Sequence, residues 1–151
     1  MPERFGHNRG ELAKAQFILE EQETKLERVR ALLTERKAER RDLEIQVHEI
    51  AAAGDMDRLV ALQSRTVLVE KTIEDLRKTE AECAERVESA RRYLYTLYVR
   101  LEKLRQEFSG LMRRLASAEQ GEPIPSEVQT NLGRIKIQLK AITGENSTGR
   151  L

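Results

Sequence analysis

Between Leu59 and Ala118 apolar residues recur at alternating spacings of three and four over eighteen positions, and only Thr66 and Glu80 interrupt them. A strand alternates every second residue, so this period excludes a sheet and predicts one long helix that packs along its length against other helices. A second seam of twelve positions runs from Leu12 to Ile50, and nine of these are apolar; Gln22, Arg36 and Arg40 are the exceptions. Gly54 then offers a left-handed end to the first helix and Asp55 a cap for the next. A turn that short places the two helices antiparallel.

One antiparallel register satisfies both seams. It sets Leu33 against Leu76, Leu26 against Cys83, Leu12 against Leu97 and Ile50 against Leu59. In it Arg36 lies opposite Ile73 and Arg40 opposite Val69, flanked by Glu70 and Glu74, while Glu80 lies opposite Val29, flanked by Arg28 and Arg30. Polar residues in such a seam cost stability and fix register, and Arg36, Arg40, Glu70, Glu74 and Glu80 are read in that role.

The first seam ends opposite Leu97, so the stretch from Leu101 to Ala118 needs another partner. Gly121, Pro123 and Pro125 break the chain there, and Ser126 with Gln129 reads as a capping box. Val128, Leu132, Ile135, Leu139 and Ile142 form a third apolar stripe, whose register sets Ile135 against Phe108 and Ile142 against Leu101. Asn8 with Glu11 is the corresponding cap for the first helix. Gly110 and Gly133 fall inside helical stretches, where close helix approach would explain them.

The expected fold is therefore all-α: an antiparallel coiled-coil hairpin with a long central helix and a short third helix folded back on its C-terminal end. The expected boundaries are an irregular N-terminal arm at 1–10, a single helical coiled-coil domain at 11–144 with helices at about 11–53, 55–119 and 126–143, and a flexible tail at 145–151.

Charged residues make up 35% of the chain, which suits the solvated faces of long helices, while a net charge of +1 supplies no general attraction for nucleic acid or an acidic membrane. Lone Cys83 excludes an internal disulfide and falls on the seam as a small buried hydrophobe. No run reaches the ~18 apolar residues of a membrane span. The polar start lacks a signal-peptide core, so the expected location is cytoplasmic, and the Asn146-Ser147-Thr148 sequon is incidental. Phosphate-loop, dinucleotide, zinc-protease and nucleophile-elbow motifs are absent, and His7 and His48 stand far apart. No catalytic residue, metal ligand or cofactor is assigned, and the chain is read as a non-enzyme.

Two groups of apolar residues remain outside the seams. Ile45, Val60, Val67 and Leu68 lie near the turn; Phe17, Ile18, Tyr93, Tyr95, Tyr98 and Val99 lie near the other end. The second group overlaps the segment from Arg91 to Arg100, where Arg91, Arg92, Tyr93, Tyr95, Tyr98 and Arg100 concentrate Tyr and Arg, the residue types that dominate protein interfaces. The same segment reads also as helix packing, or as a nucleic-acid contact through phosphates and stacked bases, extended by Arg4, Arg9, Arg113 and Arg114.

The favoured function is a non-catalytic coiled-coil adaptor or scaffold acting through protein partners and self-association. In length and hairpin plan the chain resembles flagellar and type III export stalk proteins, which insert a coiled coil into an ATPase ring. That resemblance implies a stalk or chaperone-like subunit of an export or rotary ATPase machine. A nucleic-acid-binding helical arm, as in some synthetases, is the remaining alternative.

Overall fold

A computed structural model describes residues 10–118 and 125–144. They form three helices: α1 (Glu11–Ala53), α2 (Met56–Ala118) and α3 (Ser126–Thr143). Among the described residues there is no strand, and that part of the chain is all-helical. The 1–9 arm with Asn8, the Gly121–Pro123 break and the 145–151 tail with its sequon lie outside the described residues.

Every seam position whose burial is described is buried or half-buried in all three helices. The spacing of apolar residues thus decides which face of each helix leaves water. At about 25 cal/mol per Å² that burial is the main term holding helices this charged in place.

Residues 21–88 form one compact unit. Its core joins Leu33 and Leu43 of α1 to Val69 and Ile73 of α2, with Leu62 and Leu76 packed against them. Gly54 takes φ 78°, a conformation costly for a residue with a Cβ, and its N–H donates to the Ile50 carbonyl at 3.0 Å. Asp55 Oδ1 accepts from the Arg58 N–H at 3.3 Å, which caps α2. Thr66 keeps its place in the seam because its hydroxyl donates to the Leu62 carbonyl at 2.8 Å.

The described parts of 1–20 and 89–151 form the second unit. Its core joins Leu101 and Leu104 of α2 to Ile135, Leu139 and Ile142 of α3, and Leu12, Phe108 and Leu111 pack against it. The start of α1 meets the end of α3 at two glycines. Gly144 closes α3 with φ 73° and its N–H on the Lys140 carbonyl at 2.7 Å. Gly10 is buried, and a Cβ placed on it would come within 2.3 Å of both the Gly144 nitrogen and the Ile142 carbonyl oxygen. The α3 C-terminus and the α1 N-terminus carry opposite ends of their helix dipoles, so this junction is electrostatically favourable.

Two local expectations are corrected. Ser126 is not the cap of α3: Pro125 holds the cap position in extended backbone at φ −61°, ψ 137°, and no side-chain cap bond forms. Pro125 fixes the cap geometry through its ring, and its carbonyl accepts the Val128 N–H at 3.1 Å. Nor does close approach explain Gly110 and Gly133, because a Cβ at either meets no described atom within 4 Å. Both lie in helix interiors, so Gly110→Ala and Gly133→Ala are each expected to raise stability by about 0.5–1 kcal/mol, measured by urea denaturation.

Candidate functional site

In the unit formed by residues 21–88 the apolar residues outside the seam stand in water. Val60, Val67 and Leu68 are 58%, 63% and 59% exposed. Helical periodicity sets them, with exposed Ala61 and Ser64, on the side of α2 turned away from its seam. Beyond Glu70 that outward face is mostly charged, through Lys71, Glu74, Asp75 and Lys78. The uncharged island is thus confined to about two turns. Ile45 is also exposed but belongs to the outward face of α1, so it does not join the island.

The polar seam residues find partners mostly on their own helix. Arg36 donates to Glu39 at 2.8 Å and lies 3.5 Å from Glu35, and Glu74 pairs with Lys78 at 3.7 Å. Arg40 is half-buried and Glu70 exposed. Glu39 also accepts from Arg65 of α2, at 3.1 Å through Nε, and so links the helices beside the seam. Glu80 pairs across helices with Arg30 at 3.4 Å. Sequence reasoning passed over Glu39 because its position flanks the seam and its charge resembles any surface glutamate.

Gln22, a polar exception in the first seam that received no role, buries its Oε1 with no hydrogen-bond partner among the described residues. An unpaired buried carbonyl costs about 1–3 kcal/mol, so Gln22→Leu is expected to raise the denaturation midpoint, by about 1–2 kcal/mol of stability.

In the second unit Tyr95 is the most open of the tyrosines at 70%, with Tyr93 and Tyr98 about half exposed. Tyr98 accepts from Gln16 Nε2 at 2.9 Å, and Arg100 lies 3.8 Å from Glu11. Two members of the Tyr/Arg segment therefore reach across to α1. Arg91, Arg92, Phe17, Ile18 and Val99 are exposed, as are Arg113 and Arg114, while Arg4 and Arg9 lie outside the described residues.

Cys83 is buried with a free thiol, and His48 is exposed. Among the described residues no three His, Cys, Asp or Glu side chains are grouped to hold a metal ion, and no helix is long and apolar enough to cross a membrane. The described surface of each unit also presents exposed apolar side chains on helical backbone. No protein-family model, curated protein or solved structure matches the chain.

Proposed function

We propose that the chain is a non-catalytic coiled-coil adaptor that works by binding proteins, a second copy of itself included. The observation that carries this reading is the uncharged outward island of Val60, Ala61, Ser64, Val67 and Leu68 on a helix whose opposite face is already covered. A helix needs one apolar stripe to hold its intramolecular partner, and a second stripe on the far side stabilises only an additional contact.

The scaffold beneath this surface is read as an antiparallel coiled-coil hairpin of α1 and α2, with α3 folded back on the end of α2. Side-chain pairs support that reading within each unit. Residue numbers fall along α1 as they rise along α2, from Glu39 with Arg65 to Arg30 with Glu80 in one unit. In the other they fall from Gln16 with Tyr98 to Glu11 with Arg100. Because Arg100 and Tyr98 are engaged with α1, the Tyr/Arg segment favours helix packing and protein contact over nucleic-acid binding.

Light scattering on the eluting protein tests the proposal. The expected mass exceeds the 17.4 kDa of one chain. Val67→Lys with Leu68→Lys should return it to a single chain with unchanged helical circular dichroism. A wild-type chain that stays single up to about 100 µM, a concentration at which even weak specific dimers populate, would remove self-association from the account.

A further inference from the structure

Resting on the self-association just proposed, we infer that the outward island of α2 is a two-fold interface, in which a second copy of this chain lies antiparallel with the axis passing beside Ser64. Charge favours this pairing. Counted outward from Ser64 in both directions, the residues of the outward face are complementary: Ala61 meets Val67, Val60 meets Leu68 and Asp57 meets Lys71. A two-fold interface presents the same patch twice, so each of these pairs occurs twice.

Apolar residues thus fill the centre, and opposite charges close both ends. Ser64 and Ala61 are small, which lets two helix backbones approach at the axis. Among the described residues the side chains of Asp57 and Lys71 form no ion pair within the chain, so both are available to a partner. The neighbouring Arg65, by contrast, is already held by Glu39. A parallel pairing would set Asp57 against Asp57 and Lys71 against Lys71, and like charges at both ends oppose it. The island also ends where the outward face becomes charged, which limits the contact to the segment from Asp57 to Lys71, about 21 Å of helix.

Sedimentation equilibrium and cysteine trapping on the full chain test the interface together. Asp57→Lys or Lys71→Asp alone replaces two attractions by two repulsions and should weaken the dimer about tenfold or more, while the double exchange should restore it. Ser64→Cys should give a disulfide-linked dimer under mild oxidation. The wild type, whose one thiol is buried Cys83, and Lys78→Cys, beyond the island on the same face, should not.

A dimer that ignores both charge variants and is not trapped through position 64 overturns this interface, while self-association stands on another surface. A wild type of single-chain mass overturns both. Capture of a different protein by an otherwise single chain would assign the island to that partner and likewise overturn the two-fold pairing.

Discussion

Leu139→Ala is expected to cost about 2–5 kcal/mol and to release α3 from the end of α2. Leu139 is 1% exposed, between Ile135 at 1% and Ile142 at 0%, in a core completed by Leu101 and Leu104. Removing its branched end leaves a cavity that the stiff backbones of two helices cannot collapse around. An 18-residue helix is marginal in isolation, and α3 also carries Gly133 in its interior. Its order therefore depends on the five buried side chains of one stripe, with Leu139 near the middle of the cluster. Hydrogen exchange should show amides 126–143 losing protection in the variant while those of 21–88 keep theirs. Protection of α3 equal to wild type would contradict this description of its packing.

The second large effect is expected at Gly10. Its replacement by alanine puts a methyl group within 2.3 Å of two backbone atoms, the Gly144 nitrogen and the Ile142 oxygen. Backbone held in a helix end cannot swing aside as a side-chain tip does, so the meeting of α1 and α3 must open. A cost of about 1–3 kcal/mol follows from overpacking of this kind. The contrast with Gly110→Ala and Gly133→Ala makes the test specific, because there the same change has the opposite sign. Urea denaturation of the three variants separates a glycine that admits neighbouring backbone from glycines that only weaken a helix. A Gly10→Ala chain as stable as wild type would show that the α1–α3 junction is looser than described.

The helical character of the chain was legible because it depends on local spacing. Seam residues such as Ile73 and Ile135 announce their burial through their neighbours three and four positions away, and Gly54-Asp55 announces a turn by its chemistry alone. Contacts between residues distant in sequence were less legible. Nothing near Gly10 tells that Gly144, at the other end of the chain, closes on it. Arg36 had carboxylates available both on its own helix and on α2, and it took Glu39, where α-helical spacing brings the groups together without ordering a second helix. Pro125 displaced Ser126 as the cap because a fixed φ outweighed a hydroxyl whose position only composition suggested.

Of the candidate surface residues, sequence reasoning grouped Ile45 with Val60, Val67 and Leu68 because all four lie near the turn. Helical geometry divides them: the seam faces of α1 and α2 share a core, so their outward faces point apart. The symmetric placement of Asp57 and Lys71 about Ser64 is visible in the sequence, but it acquires meaning only once both stand on an exposed face with no ion-pair partner among the described residues.

The register of α1 on α2 underlies the whole account, and the native thiol allows it to be measured directly. In that register Leu26 lies opposite Cys83, and both are buried. Leu26→Cys should therefore form an intramolecular disulfide with Cys83 on oxidation, whereas Leu33→Cys, one heptad or about 10 Å further along α1, should not. Cross-linking at position 33 in place of position 26, or at neither, would contradict the register and the hairpin built on it.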